Sequence, residues 1–178
     1  MASFFLSRID TLVDSMLEKI AKEGGPRAET AKTLIGKTAL GCAKKAYRIY
    51  KEVFDGERFQ GLADRGARTQ RLLWASTSAK NPAYSDVKYV EPLIGPETIN
   101  TLPLETLEAF RDNGRPSLSL EENFWEYATV LDRLGEVGVK LDAVAEQLEE
   151  EGIRKFVEPY DHVMSVLEER CTAVVGVS

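Results

Sequence analysis

The residue pattern predicts an α/β protein built on a short parallel sheet and followed by a run of helices. Three observations carry that reading. Apolar segments too short for helices, at 2–9, 72–75 and 98–102, alternate with stretches in which apolar residues recur at helical spacing. Such alternation implies right-handed crossovers between parallel strands. Beyond residue 114 only the helical period remains.

Taken in order, Ala2 to Ile9 reads as a strand, and Leu12, Val13, Met16, Leu17 and Ile20 mark the helix after it. Gly24, Gly25 and Pro26 end that helix by joining backbone freedom to a residue that resists continuing it. A longer helix follows, with Leu34, Ile35, Thr38, Ala39, Cys42, Ala46, Ile49, Tyr50 and Val53 on its apolar side, and Gly56 breaks it. A short turn or helix around Phe59 and Leu62 leads on through Gly66.

Leu72 to Ala75 is apolar on both alternating faces, as expected of a parallel strand covered on both sides. In 84–94, Val87, Val90, Leu93 and Ile94 have helical spacing, but Pro92 removes a donor and costs ~3 kcal/mol inside a helix, so a short or kinked helix is expected. Gly95-Pro96 is a turn and Thr98 to Leu102 a third strand. Pro103 suits the first helical position, with Leu104, Leu107 and Phe110 as the buried side and Asn113-Gly114 as a left-handed stop. Helices over 120–135, 141–150 and 153–170 complete the chain, Val144 and Leu148 forming the stripe of the middle one.

Three short strands neither close a barrel nor fill a doubly wound sheet, and two of them are left as edges with unpaired backbone groups. The sheet encoded here reads as incomplete, and Met1 stands directly against its first strand.

Composition narrows the function. A chain of 178 residues, 43% hydrophobic and 29% charged, suits one domain with a sizeable core. Its 23 Lys+Arg against 29 Asp+Glu give a net charge of -6, with the acid gathered in the last third, which disfavours nucleic-acid binding. Cys42 and Cys171 are too few and too far apart for a disulfide framework or a metal site, and read as reduced thiols. His162 is the single histidine, so mechanisms needing several imidazoles are excluded. No apolar run approaches the ~18–20 residues that span a bilayer. The opening M-A-S-F-F-L-S-R-I-D reaches Arg8 and Asp10 too soon for a signal peptide, so a soluble protein is expected.

Ligands of parallel α/β sheets sit at the carboxyl ends of the strands. Ser7 and Arg8 follow the first strand, with Ser3 inside it; Ser76, Thr77, Ser78 and Lys80 follow the second; Asn100 and Thr101 belong to the third. One arginine, one lysine and several hydroxyls on a common rim are the ingredients of a phosphate-monoester clamp. Each has a plainer alternative. Ser76 and Ser78 serve equally as helix caps, and Arg8 as a surface ion-pair partner. Lys80 could form a Schiff base only if desolvated, and nothing near it in sequence favours that over a point charge. Lys88 is read as lying outside the clamp.

At these residues the sequence resembles the transaldolase family, in its bacterial and plastid branch. The segments S-F-F-L-S-R-I-D at 3–10, Q-R-L-L-W-A-S-T-S-A-K-N-P-A-Y-S-D at 70–86, Y-V-E-P-L-I-G-P-E-T-I-N-T-L-P at 89–103, L-E-A-F-R-D-N-G at 107–114 and L-D-A-V-A-E-Q-L-E-E-E-G at 141–152 carry the resemblance, in family order. It covers essentially the whole chain.

The resemblance implies a (β/α)8 TIM barrel that moves a dihydroxyacetone unit between sugar phosphates, of the fructose 6-phosphate and sedoheptulose 7-phosphate class, through a lysine Schiff base in the pentose phosphate pathway. It implies no metal or organic cofactor. Ser3 and Arg8 match the family's strand-six serine and arginine, and Ser76 the serine of its A-S-F-[RK] motif on strand seven. Lys80 stands for the basic residue of that motif, with two residues inserted relative to the shorter form and a fork exchanged for a point charge.

The Schiff-base lysine and the catalytic Asp and Glu lie on earlier strands in the family, and no matching segment is present. The expectation is therefore a partial barrel. Residues 1–114 would supply its last three βα units, and 115–178 a helical segment packing on it. Ser3, Arg8, Ser76 and Lys80 would hold a sugar phosphate, with no catalytic residue in the chain. The alternatives are a stand-alone phosphate-binding or interaction module and one subunit of a split enzyme. Cytoplasm or plastid stroma is the expected compartment, and the N-terminal barrel half or self-association the expected complement to the exposed edges.

Overall fold

The structure is a computed structural model and describes residues 1–175. Three parallel strands, β1 (Ala2–Phe5), β2 (Leu72–Ala75) and β3 (Thr98–Asn100), form one sheet in the order β1-β2-β3. The register pairs Ala2 with Leu72, Phe4 with Trp74, and Trp74 with Asn100. Because side chains alternate across a strand, Ala2, Phe4, Leu72, Trp74, Thr98 and Asn100 share one face. That face holds the core. Trp74 is fully buried, meets Phe4 edge-on at 6.1 Å between ring centroids, and donates its indole N–H to the Leu93 carbonyl at 3.3 Å. The opposite face carries Ser3, Phe5, Leu73, Ala75 and Ile99; Ser3 is exposed there, and Phe5 is 39% exposed. β1 and β3 are the two edges of the sheet.

The first helix, α1 (Leu6–Glu23), follows β1 with no connection at all, so the strand stops at Phe5 and not at Ile9. The cause is local. The Ser7 amide turns to the Ser76 carbonyl at 3.0 Å, and Asp10 is drawn inward with Leu6, Val13 and Leu17.

The long second helix expected from residue 34 is two helices, α2 (Pro26–Leu34) and α3 (Thr38–Phe54). Two buried carboxylates of α1 cut it: Asp14 accepts the Gly36 amide and Asp10 the Ala39 amide, both at 2.7 Å. Side chains from another helix thereby satisfy N–H groups that the start of α3 leaves open. Gly36 has φ +74, and a Cβ there would lie 2.8 Å from the Tyr84 hydroxyl, so both handedness and close approach require glycine. The buried face of α3 is also rotated from the expected one. It carries Leu40, Ala43, Lys44, Tyr47 and Tyr50, whereas Ile49 and Val53 are 50% and 54% exposed.

Helix α4 (Glu57–Ala63) leads towards β2. The helix expected over 84–94 is a string of turns ending in a single 3-10 turn at Glu91–Leu93. Asn81 and Ser85 accept the amides of Ala83 and Val87 two residues on, which offers the backbone a non-helical partner.

Helix α5 (Leu104–Asn113) follows β3. Its expected apolar side is largely open, with Leu104 68% and Leu107 41% exposed. Gly114 has φ -70, so it is no left-handed stop; a Cβ there would run into the Phe110 ring, and close approach is the reason for glycine.

Helix α6 (Phe124–Glu136) packs on α3 through Val130, Leu131 and Leu134. It starts four residues later than its spacing predicts because the carbonyls of Ser119, Leu120 and Glu122 turn to the Lys44 ammonium. Residues 141–175 form one continuous helix, α7 (Leu141–Val175), through Gly152 and Pro159, where two helices were expected.

The chain divides after Lys140 into two compact units, α6 belonging to the first. Among the described residues, no helix is long and apolar enough to cross a membrane.

Candidate functional site

The carboxyl ends of β1 and β2 are joined by hydroxyls. Ser7 Oγ and Ser76 Oγ are 2.7 Å apart, beside the Ser7 amide bond to the Ser76 carbonyl. Ser76 has φ +55, a left-handed conformation that turns the chain sharply off the strand end. The β2 and β3 ends are tied in the same manner. Thr77 donates its hydroxyl to the Thr101 carbonyl at 2.8 Å, and the Thr101 amide and hydroxyl both donate to the Trp74 carbonyl. Ser7 and Thr77 are buried, so they act as structural ties and not as rim groups.

Arg8 lies in the first turn of α1, half-buried, with its guanidinium 4.7 Å from the Phe5 ring centroid. Among the described residues it forms no hydrogen bond and no ion pair. Phe5 belongs to the same sheet face as Ser3, so the structure gathers Ser3 and Arg8 on the open face of the strand ends, with Ser76 at the adjoining end. Stacking on Phe5 orients the flat guanidinium while leaving its donors free, the arrangement that suits a bidentate oxyanion.

Lys80 occupies a different setting. Its ammonium donates to Ser78 Oγ at 2.7 Å, and it lines a hollow of about 200 Å³ with Asp10, Asp14, Glu18 and Tyr84. Of the hollow's carboxylates, Asp10 is already paired with Lys88 at 2.9 Å and Asp14 is bonded to the Tyr84 hydroxyl.

Behind that hollow lies a polar network that the sequence reading missed. Asp10, 1% exposed, accepts from the Ala39 amide, from Lys88 Nζ at 2.9 Å and from the Tyr89 hydroxyl at 2.8 Å. Asp14 accepts from the Gly36 amide and from the Tyr84 hydroxyl at 2.6 Å. Lys88 sits 3.3 Å above the Tyr84 ring. Burial holds Asp14 above the usual carboxylate range despite its bonds to Tyr84 and Gly36. Burial also pushes the Tyr84 and Tyr89 phenols far up, with their carboxylate partners adding to it. The signal was present in the sequence. Asp10, Val13, Asp14 and Leu17 fall at helical spacing, which puts two carboxylates on a buried stripe. Lys88, set outside the clamp, proves to be a partly buried partner of Asp10 and so a poor neutral control for any binding experiment.

A more deeply buried cation is Lys44, 2% exposed. Its ammonium lies 2.8–3.1 Å from four backbone carbonyls, those of Pro92, Ser119, Leu120 and Glu122. Burial pulls its pKa below the ordinary lysine value, with Glu122 opposing. Cys42 is half-buried and its thiol is pushed up to about 11, chiefly by burial, whereas Cys171 is exposed. Among the described residues, no group of three histidines, cysteines or carboxylates is placed to hold a metal ion.

Comparison with known proteins adds what this geometry leaves open. The family model described as Transaldolase/Fructose-6-phosphate aldolase matches residues 1–167. A transaldolase of Thiobacillus denitrificans is 48% identical over 164 residues, covering 92% of this chain and 44% of the relative. One from Trichodesmium erythraeum is 43% identical over 173 residues, 95% of this chain and 46% of its own length. One from Thermobifida fusca is 43% identical over 173 residues, 97% and 45%. The chain thus spans a little under half the length of these curated relatives.

Proposed function

Because the chain belongs to the transaldolase/fructose-6-phosphate aldolase family, we propose that it acts as the C-terminal part of a transaldolase, supplying the strand ends that hold the substrate's phosphate. In this reading β1, β2 and β3 are the last three strands of a (β/α)8 barrel. The face bearing Ser3, Phe5, Leu73 and Ile99 is then part of the barrel interior. The unpaired outer edges of β1 and β3 are where the remaining strands continue the sheet.

The observation that carries the reading is Arg8. It is a half-buried guanidinium with no ionic partner among the described residues, oriented by Phe5 and facing the same side as Ser3. A phosphate monoester placed there receives two parallel N–H donors from Arg8 and hydroxyls from Ser3 and Ser76. Lys80 completes the clamp only by leaving Ser78 and the carboxylate hollow. Its contribution is accordingly set below that of Arg8.

The reaction of the whole enzyme is transfer of a dihydroxyacetone unit between sugar phosphates, with a lysine amine forming a Schiff base to the ketose. That lysine and the carboxylates that move protons belong to the part of the barrel that this chain does not carry. The chain alone therefore binds a sugar phosphate without turning it over, and the chemistry calls on no metal or organic cofactor. The metabolic setting is the pentose phosphate pathway, in cytoplasm or plastid stroma.

The test pairs binding with trapping. Fructose 6-phosphate binding, followed by amide chemical shifts, should weaken about tenfold in Arg8→Ala, the loss of about 1.4 kcal/mol expected for one charge-assisted contact. It should be unchanged in Lys22→Ala, at an exposed position. Borohydride should trap no adduct on the chain alone; an adduct at Lys80 would overturn the assignment. The open sheet edges also favour a split-enzyme reading. It predicts that adding a separate N-terminal barrel portion restores turnover.

A further inference from the structure

We propose that Ser7 is a positioning residue for the phosphate site: its buried hydroxyl donates to Ser76 Oγ and so fixes the Ser76 hydroxyl as a donor towards the substrate's phosphate. Ser7 touches no ligand itself, and its role rests on the phosphate reading proposed above. It is the second residue of α1, directly beyond β1, and Ser76 follows the last residue of β2. The two therefore meet where adjacent parallel strands end, with their oxygens 2.7 Å apart.

Two hydroxyls that share one hydrogen bond can be ordered in two ways, and burial decides between them. Ser7 is 2% exposed, and among the described residues Ser76 Oγ is the single hydrogen-bond partner of its Oγ. If Ser76 donated, the Ser7 proton would be left buried with no acceptor, a cost larger than a typical hydrogen bond returns. Ser76 is half-buried at the strand end, so water meets its proton in the free chain and a ligand oxygen meets it in the complex. Only the order from Ser7 to Ser76 to ligand satisfies every proton.

The backbone around Ser76 leaves little else to set. Its carbonyl accepts the Ser7 amide at 3.0 Å, and the next residue, Thr77, is held by its hydroxyl bond to the Thr101 carbonyl at 2.8 Å. Ser76 itself has φ +55, a conformation that glycine adopts more cheaply, so a side chain is kept there against a backbone cost. What stays free is rotation of the hydroxyl among its staggered positions. The bond from Ser7 puts a lone pair in the position facing α1 and leaves the proton to the others. Accepting that bond also polarises the Ser76 O–H and makes it the stronger donor. Together these effects are worth about threefold in affinity.

Two double-mutant cycles on the full chain test this, read by fructose 6-phosphate binding from amide chemical shifts. Ser7→Ala should weaken binding about threefold, and Ser76→Ala by at least as much. In the Ser76→Ala background the Ser7 substitution should change nothing, because the hydroxyl it orients is gone. In the Arg8→Ala background it should still weaken binding about threefold, because Arg8 binds independently. A Ser7 that only tied the strands would behave otherwise: loosening the tie displaces its neighbour Arg8, so the loss would persist without Ser76 and shrink without Arg8. Hydrogen exchange at the residue 7 amide should keep its wild-type protection in Ser7→Ala, since that bond to the Ser76 carbonyl is made by the backbone. Unchanged affinity in Ser7→Ala, a loss that survives in Ser76→Ala, or loss of the amide protection would each overturn the proposal. Arg8→Ala alone tests the premise. If it leaves binding unchanged, the phosphate reading falls and the role of Ser7 with it; if it weakens binding while Ser7→Ala does not, only the role of Ser7 falls.

Discussion

Replacing Lys44 by Met keeps the length and apolar bulk of the stem and removes only the ammonium. In the folded chain that ammonium gives its three protons to a cage of four carbonyls, from Pro92, Ser119, Leu120 and Glu122. Pro92 lies in the 3-10 turn and the other three carbonyls in the stretch just before α6, where only that of Ser119 also accepts a backbone amide, from Glu122. Each charge-assisted bond is worth about 1.5–3 kcal/mol, and orphaning a buried acceptor costs about 1–3 kcal/mol. Relief of the ammonium's desolvation, several kcal/mol, offsets part of this. The expected net loss is about 3–5 kcal/mol, the range found when one partner of a buried charge interaction is removed. With an urea slope of about 2 kcal/mol/M for a domain of this size, the midpoint should fall by about 2 M. Urea titration followed by far-ultraviolet dichroism measures it, and Lys45→Met, at an exposed neighbouring position, is the control. A Lys44→Met chain within 1 kcal/mol of wild type would refute the claim that the ammonium organises this segment.

The Asp14 carboxyl lies above its ordinary value of 3.8 in the folded chain, so just above that pH the folded state holds a proton that the unfolded state has released. Its stabilising contribution is complete below 3.8 and is lost as pH rises through the folded value, so Asp14→Asn should gain on wild type as pH climbs through that window in paired urea titrations. With a thiol at about 11, Cys42 is thiolate in only about a thousandth of molecules at pH 8. Iodoacetamide at that pH should modify Cys171 within minutes and leave Cys42 intact by mass spectrometry, and equal labelling would contradict the packing around α3.

The three strands and most of the helices were legible because each rests on a local signal: a short apolar run for Ala2–Phe5 and Leu72–Ala75, a period of three to four for the helices. Where expectation and structure part, a distant side chain has intervened. Spacing alone ran α2 into α3, and Asp10 and Asp14, some 20 to 30 residues earlier, separate them by capturing two amides. Spacing likewise began the last helix of the first unit at Leu120, and Lys44 holds that stretch open. The α5 face read as buried is exposed because apolar spacing reports which residues share a side, not whether anything lies against it.

The candidate site divides in the same manner. The residue types at the strand ends, and the run W-A-S-T-S-A-K-N-P that carries the resemblance, were determined by the sequence alone. Which of those residues stay accessible at the strand ends was decided by the tertiary structure. Ser7 and Thr77 became buried ties, Arg8 a guanidinium stacked on Phe5 with no ionic partner among the described residues, and Lys80 a donor to Ser78. Backbone periods and helix stops are short-range properties that a few adjacent residues specify. A hydrogen-bond partner 69 or 78 positions away exists only once the chain has folded, so the burial, pairing and charge of a site are set by what packing brings to it.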